Sequence, residues 1–182
     1  LRCSWCDTTH AFYKGHRMAR GDVLARALAE NTPLVELTGG DPLLQPAVFV
    51  LLRELCDAGK TVLVETSGEA DVSGVDARVH KIMDLKAPLS GESSRNRWSN
   101  LAHLTPRDEI KFVLAGEEDY LWARDVIRSR QLDKITPNLL MSTVFGNFSP
   151  KDVVPRILED RLPVRLQLQM HKYIWPADAT GV

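Results

Sequence analysis

From residue 21 onward the spacing of apolar residues switches repeatedly between a period near 3.6 and a period of 2. The segment GDVLARALAENT is amphipathic at helical spacing and leads into the short β-type run LVELTGG. Ala47 to Ala58 (AVFVLLRELCDA) predicts a second helix, with Gly59 just past its C-terminal end, followed by the strand TVLVETSG. Next come the strand HKIMDLK, a short helical piece around RWSNLAHL, the strand EIKFVL, the helix EEDYLWARDVIRSRQ and the strand LLMSTVF. A helix from Pro150 to about Asp160 precedes the last strand, VRLQLQM. Strands alternating with helices predict βα units, a parallel sheet and right-handed crossovers. PLSGESSRN is the one extended loop-like stretch, and no internal repeat is visible.

The chemistry of the strands separates two parallel architectures. Strands covered by helices on both faces read as continuous apolar runs, whereas these alternate. In the last strand Val164, Leu166, Leu168 and Met170 share one face, and Arg165, Gln167, Gln169 and His171 share the other. Glu36 and Thr38 likewise share a side, as do Glu65 and Ser67, and Lys111 opposes Ile110 and Phe112. A polar face on so many parallel strands requires a wet or ligand-filled interior, while a complete eight-stranded barrel packs its interior with apolar side chains. The expected fold is therefore α/β: a partial (β/α) barrel of about six parallel strands, open along one side. The motifs TGGDP, ETSG, DLK, MSTVFG and MHK all fall at strand ends, where such folds build their active sites.

Composition narrows the class. The 182 residues suit one domain, spanning 1–182, that buries roughly 70% of its unfolded surface. With 23 basic and 24 acidic residues, no like-charge block and no long apolar stretch, nucleic acid and membrane lose ground as direct partners. Three cysteines and no leader-like start suit a reducing compartment, and a cytoplasmic location is expected.

Two of those cysteines, Cys3 and Cys6, open the chain as C-x-x-C. By itself the motif is compatible with a zinc knuckle, a redox pair or an iron–sulfur site. His10 and His16 are close enough in sequence to be considered as zinc ligands, though at irregular spacing, and Cys56 falls on the apolar face of a predicted helix. A zinc-binding structural or interaction module is thus one reading from a non-enzyme class.

LRCSWCDT resembles the C-x-x-x-C-x-x-C signature of the radical S-adenosylmethionine superfamily, with its first cysteine expected two positions before Leu1, after a first barrel strand. TGGDP resembles that superfamily's T-G-G-E-P, with Asp41 one methylene shorter than the usual acid. Within it, LRCSWCDT, LTGGDPLLQ, VETSG, MDLKAP, EIKFVL, MSTVFG and RLQLQMHKYIW resemble, in order, the 7-carboxy-7-deazaguanine synthase family. That resemblance implies conversion of 6-carboxy-5,6,7,8-tetrahydropterin to 7-carboxy-7-deazaguanine with loss of ammonia, in queuosine and 7-deazapurine synthesis. It also implies a 4Fe-4S cluster, S-adenosylmethionine, Mg²⁺, an electron donor such as flavodoxin or ferredoxin, and a homodimer. A glycyl-radical-enzyme activase shares much of the same logic and is the runner-up.

Carried over by resemblance, Cys3 and Cys6 hold the cluster, Trp5, Cys6 and Asp7 lie along S-adenosylmethionine, and Thr8 binds Mg²⁺. Thr38 touches the pterin; Gly39, Gly40, Asp41 and Ser67 meet the cofactor. Asp84, Leu85 and Lys86 replace an S-P-K-like segment on its ribose and adenine side, only the Lys matching, and Ser142, Thr143, Val144 and Phe145 form a second cofactor segment. A pterin's amide and aminopyrimidine edge calls for carboxylate and carboxamide partners in a dry pocket, which points to Glu65, Gln169 and His171 as substrate contacts, with Glu65 and His171 as the catalytic pair. The plainer alternatives are that Glu65 pairs with Lys111, that His171 caps a strand and that Thr8 caps the segment after the cysteines.

Overall fold

The computed structural model describes residues 1–6, 8–13, 15–177 and 179. Six strands, β1 (Leu34–Leu37), β2 (Thr61–Thr66), β3 (His80–Leu85), β4 (Glu109–Leu114), β5 (Leu139–Thr143) and β6 (Arg165–Gln167), lie side by side in sequence order. Every pairing is parallel. Helices α1 (Arg20–Ala29), α2 (Pro46–Asp57), α3 (Glu117–Ser129), α4 (Leu132–Ile135), α5 (Pro150–Glu159) and α6 (His171–Ile174) complete the partial barrel.

The two-residue alternation sorts the strand side chains. Val62, Val64, Met83, Leu85, Ile110, Phe112, Leu114, Leu139 and Met141 are buried on one face. They meet α3 and α5 in one cluster, around Phe112, Tyr120, Ile127 and Val153, and α1 and α2 in another, around Leu52, Leu55, Val62 and Val64. Fully buried leucines such as Leu52 and Leu55 contribute about 1.5–3 kcal/mol each. Register places Glu65 beside Ile82, Ile82 beside Glu109, Asp84 beside Lys111, and Leu140 between Lys111 and Arg165 on the opposite face. This second, polar row lines the lumen.

Local signals set the helix ends. Proline starts α2, and Gly59, at φ 81°, ends it: its N–H donates to the Cys56 carbonyl while Lys60 N–H reaches back to Leu55. That pair of bonds satisfies carbonyls the last turn would otherwise leave open, and only glycine takes this φ without cost. At α5, Ser149 accepts from Lys151 N–H and Pro150 occupies the first turn.

The crossover from β2 to β3, where the sequence shows no helical segment, contains no helix; its irregular chain buries Val72, Val75 and Val79 against the second cluster in place of a helix face. The last strand is shorter than expected. Its pairing with β5 ends at Gln167, opposite Ser142, and the chain then turns, with Lys172 N–H on the Gln169 carbonyl. His171 therefore begins α6 and does not extend the lumen-facing row of β6.

One charge pair interrupts the apolar face. Lys81 Nζ stands 3.1 Å from Asp108 Oδ2, their side chains 4% and 1% exposed. Asp108 also accepts from Lys81 N–H at 2.8 Å and from Thr105 N–H at 2.7 Å, tying the start of β3 to the start of β4. Removing one partner leaves a buried charge uncompensated, so Lys81→Met is expected to lower unfolding free energy by about 3 kcal/mol in urea titrations. Adding Asp108→Asn should recover part of that loss.

Candidate active site

The loops at the C-terminal strand ends carry most of the expected residues. After β1, Gly39 takes φ 119°, and a Cβ built at Gly39 or Gly40 would meet no atom within 4 Å. Main chain is thus presented to open space, as a closely approaching ligand requires. Asp41, 9% exposed and at φ 67°, turns its carboxylate the other way. It accepts from Leu43 N–H at 3.2 Å, from the Thr66 hydroxyl at 3.1 Å, from Ser67 N–H at 3.1 Å and from the Ser67 hydroxyl.

Cys3 and Cys6 share one turn, closed by Cys6 N–H on the Cys3 carbonyl at 3.1 Å. This turn rests on the 3-10 segment Pro88–Ser90 that follows β3: Ser4 N–H donates to the Ser90 carbonyl at 3.2 Å and the Ser4 hydroxyl to the Leu89 carbonyl at 2.9 Å. Arg2 N–H binds Glu92 at 2.6 Å and its guanidinium stacks 3.7 Å over Phe12. Burial pushes the Cys3 thiol up; Lys86 opposes this, while Asp84, Cys6 and Glu92 add to it. Thr8 is exposed, its hydroxyl 3.4 Å from the Cys6 sulfur, and Trp5 is half-buried in the turn. Asp7 lies outside the described residues.

Beneath this turn, Lys86 Nζ pairs with Asp84 Oδ2 at 2.9 Å. Burial lowers the Lys86 ammonium's pKa, but the charge and hydrogen bond of Asp84, with Cys3 and Glu65, outweigh it and the net shift is upward. Asp84 Oδ1 is buried with no hydrogen-bond partner among the described residues. An orphaned acceptor of this kind suits a ligand hydroxyl or amine. Leu85, between them, is 1% exposed and turned into the core, so only its main chain can face a ligand.

Deeper in the lumen, Lys111 Nζ donates to Glu65 Oε1 at 2.7 Å and the Thr38 hydroxyl to Glu65 Oε2 at 2.9 Å. Burial raises the Glu65 carboxyl, yet the Lys111 charge, the two hydrogen bonds and Lys86 together bring it below the usual carboxylate range. Lys111 is held up in the same way: burial lowers it, and Asp84 and Glu65 more than offset that. Burial, with Glu65 close by, pushes Glu36 upward.

At the far end of the sheet Ser142, Thr143 and Val144 are buried, and Phe145 is exposed and packs edge-on against Tyr173 at 5.8 Å. Gln169 accepts from Phe145 N–H at 3.3 Å, beside a cavity of 330 Å³ lined by Thr143, Phe145, Phe148, Leu168 and Tyr173. The structure thus gathers Cys3, Thr38, Glu65, Asp84 and Lys86 on one side and places Gln169 and His171 by the β5 and β6 ends. Lys111 and Glu36 join the lumen without having been singled out as site residues; alternation in EIKFVL and LVEL marked their faces, and the pairing of Glu65 with Lys111 expected as the plainer alternative is present. Asp119, fully buried, is a further addition, holding Leu89 N–H at 2.8 Å.

Among the described residues no group of three His, Cys, Asp or Glu side chains lies close enough to hold a metal ion. Two thiolates in one turn suit a soft iron–sulfur centre as part of its ligand set. The open glycine segment and the orphaned Asp84 oxygen suit an organic cofactor beside it.

The Glu65–Lys111 pair has a defined pH window. A carboxyl held below its unfolded value contributes stability above that unfolded value and loses it as pH falls through the folded one. The stability difference between the parent and Glu65→Gln should therefore be constant around neutrality and shrink only on the acid side of the ordinary carboxylate range. Urea midpoints measured against pH test this; a difference that disappears near neutrality would refute the pairing.

No family model matches the chain. It is 47% identical over 184 residues to the 7-carboxy-7-deazaguanine synthase of Chlorobaculum tepidum, covering 99% of this chain and 83% of that protein. The enzyme of the same name from Koribacter versatilis is 40% identical over 197 residues, covering 100% and 87%. Among solved structures, that of QueE from Escherichia coli superposes with a TM-score of 0.70 at 17% identity, over 92% of this chain and 79% of the other, and so shares the fold. At these identities and coverages the chain belongs to the 7-carboxy-7-deazaguanine synthase family.

Proposed function

We propose that this chain converts 6-carboxy-5,6,7,8-tetrahydropterin to 7-carboxy-7-deazaguanine with loss of ammonia, as a radical S-adenosylmethionine lyase serving 7-deazapurine synthesis. The observation that carries the reading is the juxtaposition of the Cys3–Cys6 turn with a charged lumen at the C-terminal end of the sheet, in a chain 47% identical to a synthase of that name. When bound, a 4Fe-4S cluster with S-adenosylmethionine supplies the one-electron chemistry that opens the reaction.

The chain's own residues do the rest. Cys3 and Cys6 hold the cluster, and the Ser4 contacts to Leu89 and Ser90 keep their turn against the end of β3. Gly39 and Gly40 offer main chain to the cofactor, and Asp84 Oδ1 offers an acceptor on its ribose side. Glu65, kept ionised by Lys111 and oriented by Thr38, accepts N–H donors from the pterin's aminopyrimidine edge. Lys111 balances that charge so that substrate enters a nearly neutral site. Gln169 and His171 meet the substrate from the β6 side, and Thr8 places a hard oxygen ligand for Mg²⁺ beside the cysteine turn, where the ion can bind the pterin carboxylate. An electron donor such as flavodoxin or ferredoxin and a homodimeric assembly complete the proposal.

Anaerobic full-length protein, reconstituted with iron and sulfide and given reductant, S-adenosylmethionine and the carboxypterin, should release 7-carboxy-7-deazaguanine and ammonia. Cys3→Ala should abolish both turnover and the broad absorption near about 400 nm expected of thiolate-ligated iron–sulfur clusters. Formation of 5′-deoxyadenosine without consumption of the pterin would assign a different substrate. Added Mg²⁺ should stimulate the parent, and Thr8→Val should lose that response while retaining its absorption spectrum.

A further inference from the structure

Resting on the reading that S-adenosylmethionine binds along the glycine segment, we propose that Asp41 is a positioning residue, clamping the loop after β1 to the end of β2, and is not the acceptor for the cofactor's amino group. A carboxylate offers about four lone-pair sites on its two oxygens. Here four protein donors occupy them: Leu43 N–H, the Thr66 hydroxyl, Ser67 N–H and the Ser67 hydroxyl. Thr66, 3% exposed, belongs to the helix-facing row of β2 and Ser67 follows it at the strand end, so the carboxylate is held at the join between β2 and its loop.

The same two hydroxyls continue the network into the next loop. Gly68 N–H donates to the Thr66 oxygen at 3.3 Å and Glu69 N–H to the Ser67 oxygen at 3.5 Å. Asp41 is thus the terminal acceptor for two strand-end loops at once. It also explains why a non-glycine residue sits at φ 67°: the bonds hold the backbone in a conformation L residues rarely adopt, which fixes the turn that follows Gly39 and Gly40. Aspartate suits this task because its short side chain reaches back to Leu43 N–H while meeting β2 with both oxygens.

Thr66→Val separates the two roles, since it is nearly isosteric, lies away from the lumen and frees a lone pair on Asp41. A clamp predicts weaker binding; a direct acceptor predicts unchanged or tighter binding. Equilibrium dialysis of S-adenosylmethionine against full-length holoenzyme should show Thr66→Val weakened about tenfold, the factor for one lost hydrogen bond to a charged group. Asp41→Asn should bind more weakly still, and the double variant no more weakly than Asp41→Asn alone. Urea unfolding without cofactor should show the same non-additivity. Thr66→Val binding as tightly as the parent, with Asp41→Asn weakened, would overturn the proposal. A parent that binds no S-adenosylmethionine would sink the cofactor reading instead. In that case additive unfolding effects would still overturn the clamp and non-additive ones would support it.

Discussion

A parallel sheet that turns a charged face inward must neutralise that face from within, and the bond between Lys111 and Glu65 does this at the centre of the lumen. Helices cover the other face, and on this one Ile82 and Leu140 are interspersed with the charges. Glu36, Glu65, Asp84 and Glu109 on neighbouring strands would repel one another at close range without Lys86, Lys111 and Arg165 among them. Because Glu65 and Lys111 remain partly open to solvent, with side chains 35% and 19% exposed, the pair contributes modestly to stability. Its larger effect is on conformation: the Lys111 bond on one Glu65 oxygen and the Thr38 bond on the other fix where the carboxylate lies. A substrate entering the lumen meets groups already oriented.

This arrangement was legible in outline from the sequence because the side-chain period of a strand is two. Glu36, Glu65 and Lys111 had to share a face once the strands were identified, and the apolar residues alternating with them had to face helices. Register was not legible. Whether Lys111 lay level with Asp84 or with Glu65 depends on crossovers of different lengths, and the irregular one after β2 follows no periodic pattern. The end of β6 was hidden for a related reason. Alternation in VRLQLQMHK continues past Gln167, where pairing with β5 ends, so the pattern outlasts the strand and carried His171 onto a face it does not occupy.

Site residues divide along the same line. Those read from a local motif are simple to locate: Gly39 and Gly40 lie in the loop after β1, and Cys3 and Cys6 share one turn against the segment that follows β3. Those fixed by a distant partner were only partly visible. Three acids open α3, in EEDY, and such residues commonly favour a helix N-terminus. Nothing local distinguishes Asp119 as the one that is buried with both carboxylate oxygens engaged by Leu89 N–H and Ala115 N–H.

Asp119 points to how an open barrel keeps long irregular loops rigid around a wet site. The loops after β1, β2 and β3 are each pinned by a buried polar side chain that accepts from, or donates to, main chain elsewhere in the sequence. Asp41 holds the end of β2 to the loop after β1. Asn100 reaches back to Gly68 and Ala70, donating to both carbonyls, and accepts from Val72 N–H. Asn96 closes a pair of bonds with the N–H and carbonyl of Lys86. Asp119 anchors the turn on which the cysteines rest. Buried loops carry main-chain donors and acceptors that secondary structure would otherwise satisfy, and leaving one unpaired costs more than a surface bond returns. Satisfying them with side chains from other elements makes each loop's position depend on the sheet and helices as a whole, so the geometry at the strand ends is a property of the entire barrel.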